Sequence, residues 1–388
     1  MKPIKAIAIV TSLVLASGFA SLAKEQNDGR PQVPRVQIPT STANPQPEFE
    51  PALPGYTFAF PRDHGMHDTF KTEWWYFTGH LETDAGRYGF ELTFFRVGVS
   101  RPSSPPDTVW DLRNLALAHF AITDINGRKF RYYEKLNRFS PFTAGARAES
   151  LNVFNEGWSV TTTADGAIRI RAAAAADAID FTVTSQKPPA IHGENGVSIK
   201  AEGKGYASHY YSLTRMVGSG TVIAGGKRQP CTVLAWMDHE FGSSSLRESQ
   251  AGWDWFSVQL DNRTELMLYQ IRRRNGQPDT TSSGSFVLVD GTVIPIRQTE
   301  FRVTPLGRWR SAESGAVYPM GWEITVAPLN LKLRLREDLQ DQELLTRNST
   351  GVTYWEGSVD ASGSFGGTPV RGAGYVELTG YDKPFVAP

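Results

Sequence analysis

The chemistry available to this chain is concentrated in a few short stretches where ionisable side chains interrupt apolar ones. The densest is Trp236-Met237-Asp238-His239-Glu240-Phe241-Gly242. Histidine titrates nearest neutral pH, so His239 suits proton transfer, and a neighbouring carboxylate such as Asp238 can fix its tautomer and raise its basicity. The run Thr232 to Trp236 reads as a strand that delivers these groups. Side chains alternate faces along a strand, so Asp238 and Glu240 share one face and His239 takes the other unless the chain bends. His239 then needs partners from elsewhere, and Asp254, Tyr269 and Tyr211 are the candidates. The alternative for the same residues is a strand end in which Asp238 caps backbone amides and His239 is a satisfied, buried histidine.

Gly252-Trp253-Asp254-Trp255 sets a carboxyl between two indoles. In a low-dielectric wall Asp254 would have a raised pKa and suit general acid work; the alternative turns it toward solvent or an arginine. Glu73-Trp74-Trp75-Tyr76 puts rings on both faces of a strand, one set for a core and the other for a pocket wall. The two histidines of His64-Gly65-Met66-His67, with Asp68 and His80 nearby, have no spacing that brings ligands together, so no metal is expected. There is no G-x-S-x-G elbow, Walker loop or dinucleotide fingerprint, so neither a serine nucleophile nor a cofactor is expected. Cys231 lies in Cys-Thr-Val-Leu-Ala-Trp and reads as a buried, inert thiol.

Short strands must position these residues. Glu91 to Val97, Phe256 to Leu260 and Glu265 to Tyr269 are β-rich and partly alternating. Asp84-Ala85-Gly86, Asn126-Gly127, Asp165-Gly166, Asp261-Asn262, Asn275-Gly276 and Asp290-Gly291 supply hairpin turns between such runs. About twenty candidate strands emerge from this pattern. Ala172 to Asp180 is Ala-rich but has no amphipathic stripe, so it is not read as a helix. A long series of hairpins means a sandwich or a barrel, and barrels remove exposed edges. One hairpin frame recurs: Trp74-Trp75-Tyr76-Phe77-Thr78-Gly79-His80-Leu81 and Trp253-Asp254-Trp255-Phe256-Ser257-Val258-Gln259-Leu260. Tyr210-Tyr211-Ser212 and Tyr354-Trp355-Glu356 form a weaker echo. Two copies of a frame point to a duplicated barrel, with the join near Gly225-Gly226 or after Ser245.

Not all 388 residues belong to that fold. Residues 1–23 carry Lys2 and Lys5, an apolar run from Ala6 to Leu15 and a Ser21-Leu22-Ala23 end, the pattern of a secretory signal peptide. The apolar run is too short to span a bilayer, so no membrane anchor is expected after cleavage, and the protein is expected to be periplasmic or secreted. Residues 24–54, rich in Pro, Gln and Asn, read as a leader without a core of its own. Residues 55–235 and 236–388 are then the two barrel domains. Lys and Arg number 40 against 40 Asp and Glu, which argues against nucleic acid as a partner.

Five motifs, taken in order, resemble the AttH-type family, which includes the carotenoid 1,2-hydratases and proteins described as secreted hydrolases. They are Glu73-Trp74-Trp75-Tyr76 with Gly79-His80-Leu81; Tyr210-Tyr211-Ser212-Leu213-Thr214-Arg215; Asp238-His239-Glu240; Gly252-Trp253-Asp254-Trp255; and Tyr354-Trp355-Glu356-Gly357 with Gly374 to Tyr381. The resemblance implies an all-β chain of two tandem lipocalin-like barrels with an apolar ligand site at or near their junction. It also implies a His-centred site that hydrates an isolated C=C bond by protonation, with aromatic faces stabilising the cation. Residue by residue, His239 matches the family histidine and Asp238 its neighbour, and Tyr269 matches the tyrosine of the next hairpin. Phe241 stands where the family commonly has Trp, and Gln270 and Ile271 stand where an acid is expected, so Asp254 is the candidate substitute. The expectation is a catalytic set of His239, Asp238 and Asp254, with Trp75, Tyr76, Tyr211, Trp253, Trp255, Tyr269 and Trp355 contacting a small hydrophobic or amphipathic, isoprenoid- or lipid-like ligand. Hydration or hydrolysis is one outcome of such a site; a non-catalytic lipid or isoprenoid carrier in the periplasm is the alternative.

Overall fold

The computed structural model describes residues 49–101 and 112–385. The expected signal peptide and residues 24–48 of the expected leader lie outside the described residues. The first sheet is built from β1 (Thr72–Thr83), β2 (Gly86–Gly98), β3 (Asn114–Asp124), β4 (Lys129–Arg138), β5 (Ala144–Ala146), β6 (Asn152–Asn155), β7 (Trp158–Thr162), β8 (Ile168–Ala174), β9 (Asp177–Ser185), β10 (Ala190–Ile191), β11 (Val197–Ile199), β12 (Ala207–Ala224) and β13 (Lys227–Gly242). The second holds β14 (Gln250–Leu260), β15 (Glu265–Arg273), β16 (Ser283–Val287), β17 (Val293–Arg297), β18 (Phe301–Arg310), β19 (Val317–Val326), β20 (Leu331–Glu337), β21 (Glu343–Leu345), β22 (Thr353–Phe365) and β23 (Thr368–Thr379). Only short 3-10 turns break the β structure among the described residues.

Each sheet curls into a nearly closed barrel, and in each the last strand returns to pair with the first. β13 runs antiparallel to β1, and β23 antiparallel to β14. The expected turns fall between strands, and Gly225-Gly226 makes the β12–β13 hairpin with both residues at positive φ, a conformation that two glycines adopt without strain. The stretch from Ala172 to Asp180 is the end of β8, a tight turn and the start of β9. Trp236–Gly242 is part of β13, where Gly242 pairs with Thr72 to close the first barrel. The chain therefore changes sheet within residues 243–249, beside the join read after Ser245, and the 235/236 division falls inside a strand.

Three apolar clusters explain the shape. Trp75, Phe77, Leu81 and Phe90 fill the first barrel. Phe256, Val258, Trp322 and Trp355 fill the second. Tyr76, Tyr210, Trp236, Trp255, Met267, Tyr269 and Tyr375 pack between them. The strands at this contact are thus buried on both faces, which is why β1, β2, β13 and β14 read as nearly continuous apolar runs. The outward face still carries the polar residues of an ordinary barrel exterior, now enclosed. Each such group buried without a partner costs about 1–3 kcal/mol, so they pair across the junction. Gln259 Nε2 donates to the Thr214 and Ala235 carbonyls (2.8 and 2.9 Å), Lys187 meets Glu265 at 2.6 Å, and the ring of His192 lies between Ser212 and Ser285.

Candidate functional site

A cavity of about 200 Å³ opens within the junction. Strand alternation decides what faces it. On β1, Trp74 and Tyr76 point outward; on β14, Trp253 and Trp255 do the same. Tyr76 pairs with Asp238 on β13, and Trp255 pairs with Glu377 on β23. The two barrels therefore contribute equivalent pairs, an aromatic and a carboxyl each, to opposite walls of one space. Tyr76 and Trp255 meet edge to face at 5.1 Å. Glu356, the register partner of Glu377, adds a third carboxyl, and Glu240 a fourth.

The carboxyls differ in their partners. Asp238 accepts three hydrogen bonds, two on Oδ1 and one on Oδ2: Tyr210 Oη and Trp236 Nε1 each donate at 2.6 Å, and the Ser212 hydroxyl donates as well. Glu240 accepts from Ser208 and pairs with Lys200 at 2.8 Å, whose ammonium lies 4.2 Å above the Tyr269 ring. Tyr76 Oη donates to Glu356 Oε1 at 2.7 Å, while Glu356 Oε2 is buried without a partner. Trp253 Nε1 donates to Glu377 Oε2 at 2.9 Å. Burial disfavours the anions. It pushes Asp238 up to about 7. Glu377 rises to about 7 through burial, helped by the nearby Asp238 and Glu240 charges. Burial and then the Glu377 and Glu91 charges hold Glu356 well above the carboxylate range. Glu91 is pushed to about 8, again by burial first. Near neutral pH Glu356 is a carboxylic acid in the aromatic wall, and Asp238 and Glu377 are poised between acid and anion, able to give or take a proton in a space of low dielectric.

The residues picked out in the sequence divide by face. Asp238, Tyr76, Trp253, Trp255 and Tyr269 line the cavity. His239 does not. Its ring stacks on Trp75 at 4.9 Å inside the first barrel, and Nε2 meets Glu73 Oε1 at 3.0 Å. It reaches the cavity only through Glu73 and Arg96, which border one edge of it. Tyr211 shares that inner face, its hydroxyl 3.0 Å from His239 Nδ1. Asp254 also lies one step out of phase. Trp253 and Trp255 face the junction, so Asp254 points the other way, to Arg272 Nε (2.8 Å) and Tyr381 Oη (3.0 Å). Trp75 and Trp355 are core residues, the latter beside Trp322. Glu377, Glu356, Glu240, Tyr210 and Lys200 are among the cavity residues that the sequence did not single out as site residues. For the three glutamates the one signal was an acid within an aromatic, β-forming run.

Behind the cavity edge lies a second polar network. Glu73 is wholly buried and accepts from His67 Nδ1 (2.8 Å), His239 and Arg96 Nε (2.9 Å). His67 also meets Asp63 at 3.2 Å and stacks on Phe241 at 3.6 Å. Burial opposes the charge on Glu73, but these donors hold its carboxyl well below the usual range. Donor atoms of His67, Glu73 and His239 lie within 4.8 Å of one another, the geometry a metal would need. Both rings, however, converge on one Glu73 oxygen while Arg96 takes the other. A cation there would face a guanidinium, so the residues suit a closed hydrogen-bond network better than a metal centre.

Comparisons with known proteins agree with this architecture. A family model described as AttH-like matches residues 51–381. The crystal structure of an AttH-like protein from Nitrosomonas europaea superimposes with a TM-score of 0.76 at 34% identity, covering 86% of this chain and 99% of that one. Kievitone hydratase from Nectria haematococca shares the fold, with a TM-score of 0.66 at 14% identity, covering 85% of this chain and 94% of its own. No curated protein matches the sequence.

Proposed function

The chain belongs to the AttH-like family, and from that footing we propose that it is an exported acid–base enzyme that adds water to, or removes it from, a C=C bond at the end of an apolar ligand. The observation that carries this reading is the pair of equivalent carboxyls, Asp238 and Glu377, facing one aromatic cavity with pKa values near neutral. A pure carrier has no use for such groups, since each buried polar group must be offset by a partner. A fold shared with an enzyme named as a hydratase is in keeping with the proposal.

Glu377 is the acid. One of its oxygens is held by Trp253, and the other meets no side-chain donor among the described residues. It transfers its proton to one alkene carbon, and the π pair forms the new C–H bond. The cation left on the other carbon lies among the faces of Tyr76, Tyr210, Trp253 and Trp255, which favour positive charge. Water attacks that carbon, and its extra proton passes to Asp238 as the C–O bond forms. One water is added, and one proton has moved from Glu377 to Asp238. The cavity is only somewhat larger than the ~150 Å³ that holds a benzene ring, so it takes one branched or cyclic end of a ligand and not a long polyene. His239 acts from behind, fixing Glu73 at the cavity edge.

Incubation with a panel of short isoprenoid alkenes in ¹⁸O-labelled water tests this. The wild type is expected to yield an alcohol carrying one labelled oxygen. Glu377→Gln is expected to bind the same alkene and lose about 10²–10⁴-fold in turnover. An unchanged rate in that variant removes Glu377 from the mechanism. Wild-type binding without turnover across the panel would leave the carrier reading.

A further inference from the structure

One wall of the cavity is crossed by a row of four polar side chains drawn from four separate segments. Tyr354 of β22 and His119 of β3 line the cavity. Glu134 of β4 lines a solvent-open groove of about 760 Å³. Between them runs the segment 346–352, whose Thr350 and Val352 border the cavity. Tyr354 Oη lies 2.7 Å from His119 Nδ1, His119 Nε2 lies 2.9 Å from Ser349 Oγ, and Ser349 Oγ lies 2.6 Å from Glu134 Oε2. The register explains the placement: His119 and Glu134 are directly opposite on β3 and β4, so they share the face turned toward the second barrel.

The hydrogen bonds have one sense. Ser349 donates its only proton to Glu134, so its oxygen accepts from His119 Nε2–H. Nδ1 is then the acceptor for the Tyr354 hydroxyl. Asn348 donates to Glu134 from its backbone and its side-chain amide, which holds the carboxylate at the outer end.

We propose that Tyr354, His119, Ser349 and Glu134 form a proton path that joins the cavity to solvent. The proposal rests on the reading of the cavity as an acid–base site, because each turnover leaves Glu377 without a proton and Asp238 with one. In one passage Tyr354 gives its proton to Nδ1, Nε2 gives its own to Ser349, and Ser349 gives its own to Glu134. Tyr354 takes a replacement from the cavity, so one proton leaves it and reaches the groove. The reverse sequence, Glu134 to Ser349, Ser349 to Nε2, and Nδ1 to Tyr354, which gives its own proton to the cavity, carries a proton inward and restores the first tautomer of His119 and the first orientation of both hydroxyls. Burial pushes the His119 pKa down to about 3, so the ring stays neutral and relays by exchanging tautomers. A mere latch for the loop would need only the Asn348–Glu134 contacts.

Infrared spectroscopy of the full chain tests the path without a substrate. At neutral pH the protonated cavity carboxyls give a C=O band that shifts on deuteration. Mixing into D2O is expected to shift it quickly in the wild type and about tenfold or more slowly in Ser349→Ala, with Ser349→Thr restoring the rate. Ser349 is half-buried on a loop, so its truncation leaves the barrels intact, and His119→Phe is a second interruption. Equal rates in both interrupted variants and the wild type overturn the path and leave the acid cavity standing. A wild type with no protonated carboxyl band at neutral pH overturns the acid–base reading and the path with it.

Discussion

Asp238 and His239 are neighbours with different tasks because a strand turns successive side chains to opposite faces. That alternation was legible in the sequence, where Asp238 and Glu240 were set against His239. Which face held the site was not legible, since both faces are buried and each is rich in aromatic residues. Asp254 was misplaced for the same reason: its two tryptophans face the cavity and it faces Arg272. Two consequences follow at this scale. His239→Ala removes a donor to Glu73 and opens space beneath Trp75. It is expected to cost about 1–3 kcal/mol in urea unfolding, and to lower turnover less than Glu377→Gln does. Asp254→Ala leaves the largely enclosed Arg272 without its carboxylate. It is expected to cost about 3 kcal/mol while ligand binding in the cavity is unchanged. A loss of binding in Asp254→Ala with stability retained would return that carboxyl to the site.

At the level of elements, the repeated hairpin frame marks a repeated topology. Trp74 and Tyr76 open the first barrel as Trp253 and Trp255 open the second, and in both the closing strand brings a carboxyl beside the second aromatic. The hairpins were readable because Asn-Gly and Asp-Gly pairs stand between alternating runs, whereas Gly225-Gly226, a candidate join of the two barrels, turns a hairpin inside the first sheet. The return of β13 and β23 to the first strand of each barrel was not readable, because nothing local in Trp236–Gly242 or Gly374–Thr379 encodes a partner so distant in sequence. The barrels approach each other closely at Gly89 on β2, where an added Cβ would collide with Tyr375 Oη and approach Ser358 Cβ to 2.9 Å. Gly89→Ala is therefore expected to destabilise by about 1–3 kcal/mol through overpacking and to loosen the cavity. Calorimetry together with the affinity for a fluorescent apolar probe would show both effects; a variant as stable as wild type would mean that the junction has room for a methyl group at Gly89.

For the whole molecule, enclosing a polar barrel face between two barrels couples stability to pH. In the unfolded chain these carboxyls titrate near about 4. In the folded chain Asp238 and Glu377 titrate at about 7 and Glu91 at about 8. The native state binds more protons between those values, so their contribution is whole below about pH 4 and is lost as pH rises through about 7 to 8. Urea unfolding is expected to show stability falling across that window, by on the order of 1 kcal/mol per pH unit for each carboxyl, with a shallower slope in Glu91→Gln. Asp63 and Glu73 act in the opposite sense: their depressed pKa values contribute stability at neutral pH that is lost as acid protonates them. Catalysis by this cavity requires a carboxyl that still holds a proton near neutral pH. A ¹³C NMR titration of glutamate side-chain carboxyls, assigned with Glu377→Gln, measures this directly. The Glu377 midpoint is expected near 7; a midpoint in the ordinary carboxylate range would remove Glu377 as the acid.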